Sequence, residues 1–178
     1  MLKKVLVPSV LLLFCACGTY NHEEPKAAVP LAAAFSLLSD DFTDKNLLSP
    51  VFTCDGANIS PALKWSGAPA GTRSFALTLR DPDAPSGDFL HWAVVDIPAG
   101  SSGTARNVKF PPGSRELKND AGGFGYTGPC PPSGTHRYIF TLYSLDTERF
   151  GDDPAALEDF FLKHAVAKTV LTGLYERK

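Results

Sequence analysis

The sequence predicts a mostly β domain with long loops, and three observations carry that reading. Three segments alternate apolar and polar residues with period two, the spacing of a strand. Fifteen Gly and 15 Pro among 178 residues break the chain into short runs. Only one segment, close to the C-terminus, has helical spacing.

The chain opens with an export signal. Lys3 and Lys4 form a basic start, Val5 to Phe14 an apolar run, and Cys15-Ala16-Cys17-Gly18 a small-residue end. The run falls short of the roughly 20 apolar residues that a permanent span needs. A cysteine directly behind such a run suggests a bacterial lipoprotein, with residues 1–16 removed and Cys17 carrying lipid. Ala16 is small, whereas Cys15 follows the bulky Phe14; Phe14 also stands at the third position before Cys17, where Leu is usual. The expectation is an exported protein, lipid-anchored to the cell envelope, at the outer membrane if the cell is Gram-negative; more than one acyl chain makes such anchoring stable.

Residues 17–34 contain Glu23-Glu24-Pro25-Lys26 and an Ala/Pro run, with too little apolar periodicity to pack, and are read as a flexible tether. The remaining residues, 35–178, have the size of one domain. Without the signal, 15 basic residues face 19 acidic ones, a net charge of −4. No basic stripe exists, which excludes nucleic acid as a partner.

Within the domain, Phe75, Leu77 and Leu79 alternate with Ser74, Ala76, Thr78 and Arg80 in a first strand. His91, Ala93, Val95 and Ile97 alternate with Trp92, Val94 and Asp96 in a second; both sets are fairly apolar, so a central position is expected. Tyr138, Phe140 and Leu142 alternate with Ile139, Thr141 and Tyr143 in a third that ends near Leu145. A helix over 154–165 is capped by Asp153, starts at Pro154, and turns Leu157, Phe160, Phe161 and Ala165 to one face.

Chemistry concentrates where strands meet proline-rich loops. Pro82 and Pro85 fix the backbone around Asp81 and Asp83, so both carboxylates are presented with little entropy left to lose. The chain returns at His91, ten positions after Asp81, and an antiparallel pairing brings the two to one end of the sheet. His136 and Tyr138 share a face by period two, and Arg137 points away, a structural residue pairing with a carboxylate behind the pocket. Carboxylates nearby favour protonated His, so both imidazoles are expected to carry charge. Taken singly these signals are weaker, since Asp-Pro-Asp is also a turn sequence and a lone His at a strand start usually serves only local hydrogen bonds. His22 in the tether and His164 in the last helical turn do not read as functional.

Two further patterns carry nothing. Gly123-Phe124-Gly125-Tyr126-Thr127-Gly128 matches a dinucleotide fingerprint, but Pro129, Pro131 and Pro132 leave no helix N-terminus to receive a pyrophosphate. Asn58-Ile59-Ser60 matches a glycosylation acceptor, but Pro61 follows it and a bacterial lipoprotein signal makes it irrelevant.

Five motifs in order carry a resemblance. Phe52-Thr53-Cys54-Asp55-Gly56 with Ile59-Ser60-Pro61, Asp81-Pro82-Asp83-Ala84-Pro85, His91-Trp92, Gly128-Pro129-Cys130-Pro131-Pro132 with His136-Arg137-Tyr138, and Leu171-Thr172-Gly173-Leu174-Tyr175 run from Ser49 to the C-terminus. Together they resemble the phosphatidylethanolamine-binding protein family, in particular its bacterial Raf-kinase-inhibitor-like branch. The resemblance implies a large central antiparallel sheet packed with a smaller one, and few short helices. It also implies an anion pocket for phosphorylethanolamine-like head groups, with Asp81, Asp83, His91, Gly128, Pro129, His136 and Tyr138 at the pocket; the backbone restriction at Pro82 and Pro85 and the outward direction of Arg137 make these three its expected scaffold.

Cys54 and Cys130 flank that pocket in the family order. In an exported protein such a pair is expected to form a disulfide, the alternative being two buried thiols. Neither a cofactor nor a metal is expected: His and Asp could ligate zinc, yet there is no HExxH and no clustered His spacing.

The expected function is non-enzymatic binding of phosphate-bearing small molecules or phospholipid head groups in a preformed Asp/His pocket. One rival is an interaction module that inhibits an envelope peptidase, ahead of a kinase, through the loop from Thr104 to Gly123. Another is a hydrolase using Ser133 and His136, although no Gly-x-Ser-x-Gly elbow is present. A homodimer through an exposed strand face stays open.

Overall fold

The computed structural model describes residues 34–107, 110–151 and 153–177. The signal over 1–16, the lipidation candidate Cys17 and nearly all of the 17–34 tether lie outside the described residues.

In chain order the described elements are β1 (Ser36–Leu38), β2 (Asn46–Leu47), β3 (Leu63–Ser66), β4 (Ser74–Asp81), β5 (Phe89–Pro98), β6 (Gly103–Thr104), β7 (Arg115–Glu116), β8 (Thr135–Leu145), α1 (Leu157–His164) and β9 (Ala165–Glu176). A large sheet runs β2-β9-β8-β4-β5-β7, antiparallel except for the β2–β9 pair, and a small sheet runs β1-β3-β6. The mostly β, two-sheet expectation therefore holds.

Period-two alternation feeds two separate cores. Phe75, Leu77 and Leu79 of β4 and Phe140 and Leu142 of β8 pack against Leu37, Leu63 and Trp65 of the small sheet. On the opposite face, Ala76, Ala93, Val95 and Leu145 pack against Phe150 and against Leu157 and Phe161 of α1. Such double cover explains why both residue sets of β5 are apolar. The strand is not central, however: β8 and β4 are the inner strands, and on its outer side β5 pairs with β7 only at Val94 and Val95.

Two irregularities in β5 matter more than its place. Leu79 pairs with Trp92 but Arg80 pairs with Leu90, so His91 is an extra residue that the ladder skips. Phe75 pairs with Ile97 and Leu77 with Val94, which leaves one residue of β4 facing two of β5, Val95 and Asp96; Asp96 has φ of 59°. These two bulges overturn the strict alternation read from the sequence. His91 packs edge-on against Tyr138 on the inter-sheet side, while Ala93 and Val95, expected on its face, belong to the other core.

The helix is shorter than expected. Residues Pro154–Ala156 form a 3-10 turn, with the Asp153 carboxylate accepting from the Ala155 amide at 3.0 Å, and α1 begins at Leu157. Ala165, expected on the helix face, is already extended and opens β9. The longest strand of the domain was therefore missed beside the helix. Its first half alternates only between exposed and half-buried positions, occupied by Ala, Val, Lys and Thr, so no large apolar face announces it.

Candidate functional site

Three strand ends build a cavity of about 350 Å³ open to solvent. β4 finishes at Asp81, β5 starts opposite it with Asp81 paired to Phe89, and β8 runs antiparallel to β4 with Arg80 paired to Ile139. Asp81, His91, His136 and Tyr138 consequently line one cavity, with Thr127 and Gly128 along one wall. Pro85 and Phe89 close a second side, and Pro131 and Pro132 a third.

Asp81 organises the centre. It is 3% exposed; its Oδ2 lies 2.7 Å from Nδ1 of His136, and its Oδ1 accepts from the Asp83 amide at 2.9 Å. A carboxylate accepts, so Nδ1 of His136 donates, and Nε2 is left as the polar atom of that ring not engaged by Asp81. Tyr138 is fully buried, and its hydroxyl, with no hydrogen bond of ordinary geometry among the described residues, interacts with the Asp81 carboxylate and the Cys130 amide. Burial, reinforced by the Asp81 charge, pushes the phenol well above the ordinary tyrosine range, so it stays protonated.

His91 is held differently. Its Nδ1 lies 2.8 Å from the Thr127 carbonyl oxygen. A carbonyl can only accept, so Nδ1 carries the proton, and in the neutral ring Nε2 is an acceptor. Burial pushes this imidazole below the usual histidine range, against the opposing pull of the Thr127 carbonyl and the charges of Asp81 and Asp120. The expectation of a raised pKa thus fails at His91, because desolvation outweighs the nearby carboxylates. At pH values below about 6.5 the unfolded chain takes up a proton that the folded ring resists. Stability should therefore fall as pH drops from about 7.5 to about 5.5, and fall less in His91→Gln. Urea titrations of both proteins at the two pH values check this; identical pH dependence would contradict it.

Asp83 does not face the cavity. Arg137 grips it with Nε at 2.8 Å, Nη2 at 2.6 Å and its backbone amide at 2.9 Å. Those hydrogen bonds hold the Asp83 carboxyl at about 2. Arg137 is thus the outward-facing residue of the sequence reading, and its carboxylate partner is Asp83 itself. Pro129 is also absent from the lining: it is buried, and its carbonyl accepts from the Cys54 amide at 3.0 Å. Pro82 is exposed outside the lining, whereas Pro85 lies in it.

The wall around Gly128 is clamped to a distant part of the chain. The Gly128 amide donates to Asn58 Oδ1 at 2.7 Å, the Tyr126 hydroxyl donates to the Phe52 carbonyl at 2.7 Å, and Cys54 and Cys130 are joined in a disulfide across a separation of 76 residues. A side chain at Gly128 would place its Cβ 2.4 Å from the Phe52 carbonyl oxygen and 2.6 Å from Asn58 Oδ1. Gly128→Ala should therefore displace the wall and cost about 1–3 kcal/mol of stability, measurable by urea denaturation. The loop facing it is fastened by Asn119, whose Nδ2 lies 3.0 Å from Thr127 Oγ1, 3.1 Å from the Gly125 carbonyl and 3.3 Å from the His91 carbonyl.

This arrangement has relatives. The family described as phosphatidylethanolamine-binding protein matches residues 38–176. The chain belongs to the phosphatidylethanolamine-binding protein family. It is 44% identical over 149 residues to a UPF0098 protein of Methanothermobacter thermautotrophicus, covering 80% of this chain and 99% of that one. It is 40% identical over 193 residues to the UPF0098 protein YbcL of Escherichia coli, covering 98% and 100%. The crystal structure of YbcL, described as a new member of the mammalian PEBP family, superposes with a TM-score of 0.77 at 35% identity over 82% of this chain and 100% of that one. A Mycobacterium tuberculosis relative named as a lipoprotein, LppC, is 44% identical over 118 residues, covering 65% of this chain and 58% of that one. No helix among the described residues is long and apolar enough to cross a membrane.

Among the lining residues of this family member, Thr127, Ser86, Ala121 and Phe89 had no assigned role in the sequence reading. Thr127 contributes a backbone carbonyl, which no side-chain pattern announces. Phe89, whose ring centre lies 4.8 Å from that of His91, was legible as an aromatic two positions before a candidate site residue. Ser133, the serine of the hydrolase alternative, is exposed and does not line the cavity.

Proposed function

We propose that the domain binds small phosphate-bearing amines, either free or as phospholipid head groups, without turning them over. The observation that carries this reading is the convergence of a buried Asp81–His136 pair, a neutral His91 and the buried Tyr138 hydroxyl at one solvent-open cavity. The Tyr138 hydroxyl is a donor for a phosphate oxygen, and His136 Nε2 is a second one whenever that ring carries both of its protons. The His91 Nε2 and the remaining lone pairs of Asp81 are acceptors for an ammonium. Donors and acceptors held apart in one small cavity suit a ligand carrying both charges. Lipidation at Cys17 and placement at the cell envelope belong to the same proposal, supported by the signal-like N-terminus and by a relative that bears a lipoprotein name.

Calorimetric titration of the domain with phosphorylethanolamine and with inorganic phosphate tests the reading. Binding of both, with phosphorylethanolamine the tighter, is the expected result. No heat with either ligand would overturn it.

A further inference from the structure

The disulfide is open to solvent at the rim of the cavity. Cys54 and Cys130 are both exposed, and Cys130 is also part of the cavity lining. The two sulfurs have unequal electrostatic surroundings. Nη1 of Arg177 lies 4.0 Å from Cys130 Sγ, and its Nε lies 3.2 Å from Oδ1 of Asp55, the residue that follows Cys54. A guanidinium lowers the pKa of a thiol beside it and makes that sulfur the better leaving group.

We propose that the Cys54–Cys130 bond is a thiol-exchange site on the rim of the pocket, taking a dithiol reductant, with Cys54 the attacked sulfur and Cys130 the leaving one. A thiolate of the reductant attacks Cys54 Sγ, and the Cys54–Cys130 bond breaks with its electron pair leaving on Cys130, beside Arg177. The reductant is then joined to Cys54 by a mixed disulfide. Its second thiolate attacks its own linked sulfur, so Cys54 leaves as thiolate and takes a proton from water. The protein has gained two electrons, and the reductant departs as a disulfide.

Opening the bond does not detach the wall, because the Cys54 amide still donates to the Pro129 carbonyl and Gly128 to Asn58. It frees the stretch at Cys130, Pro131 and Pro132, which closes one side of the cavity. The significance of that release for ligand binding rests on the function proposed above; the exchange chemistry does not.

The test uses the folded protein. Dithiothreitol should open the bond without denaturant, and a glutathione pulse followed by acid quench and peptide mass mapping should find the adduct on Cys54. Arg177→Gln should slow opening up to about tenfold, and Arg177→Lys should restore much of the rate. Amide hydrogen exchange at Cys130 should rise on reduction, a readout that needs no ligand. Opening only under denaturing conditions, an adduct on Cys130, or equal rates for wild type and Arg177→Gln would overturn the exchange site. Unchanged exchange at Cys130 would overturn the release of that stretch. Absence of phosphorylethanolamine binding to the oxidised protein would overturn the function proposed above and leave these thiol readouts to decide the exchange site alone.

Discussion

Asp96→Ala is expected to lower the free energy of unfolding by about 3–5 kcal/mol. The Asp96 carboxylate is about 1% exposed and serves two separate stretches of chain, at Arg115 and at Arg149 and Phe150. Its Oδ2 accepts from Arg115 Nε at 2.6 Å and lies 3.6 Å from Arg149 Nη1, while Oδ1 accepts from the Phe150 amide at 2.6 Å. Alanine leaves the buried amide of Phe150 without this acceptor and the cation of Arg115 without this carboxylate. It also puts a residue poorly suited to the left-handed region at φ of 59°, where Asp and Asn are tolerated. Asp96→Asn keeps the backbone preference and an acceptor but loses the charge, so its cost should be clearly smaller. Urea denaturation of the three proteins separates these contributions. A loss below about 1 kcal/mol for Asp96→Ala would show that the carboxylate does not fasten these segments.

The second large effect concerns binding. Asp81→Ala should weaken phosphorylethanolamine binding by about 10- to 100-fold, the equivalent of losing about 1.5–3 kcal/mol from a hydrogen bond to a charged group. Oδ2 fixes the orientation of His136, and Oδ1 fixes the turn at Asp83, so the substitution releases two sides of the cavity at once. Asp81→Asn retains the acceptor for the Asp83 amide but can present an amide donor to His136, which would then have to exchange its tautomer. It should bind better than Asp81→Ala and worse than wild type. Asp83→Asn is the informative control, because that carboxylate faces Arg137 outside the cavity. Its affinity should stay within about threefold of wild type. An equal loss from Asp81→Ala and Asp83→Asn would contradict the division of roles between the two carboxylates.

Much of this was legible from residue order. Strands β4, β5 and β8 were readable because each turns large apolar residues to the inter-sheet core at every second position over much of its length, and their ends located Asp81, His91 and His136 near one another. Strand β9 was not, because its exposed half is built from Ala, Lys, Thr and Val directly behind a helix, with no turn residue between them. Asp83 was misplaced for a different reason. Its two prolines fix where the backbone goes, but the direction of its side chain is set by Arg137, which is 54 residues away. The charge state of His91 followed the same logic: neighbouring carboxylates are visible in sequence, whereas burial is a property of the assembled fold. The bulges in β5 were equally hidden, since the ladder that skips His91 is defined only by its partner strand.

That skipped position bears on how such a domain can change over evolutionary time. The His91 carbonyl, not its side chain, accepts from the Thr127 amide and from Asn119, and strand pairing resumes at Leu90 and Trp92 on either side. The imidazole at residue 91 thereby stands outside the pairing that assembles the sheet. A substitution here acts on the cavity and on its Thr127 wall and leaves the ladder paired, so the lining is free to diverge over descent while the architecture stays put.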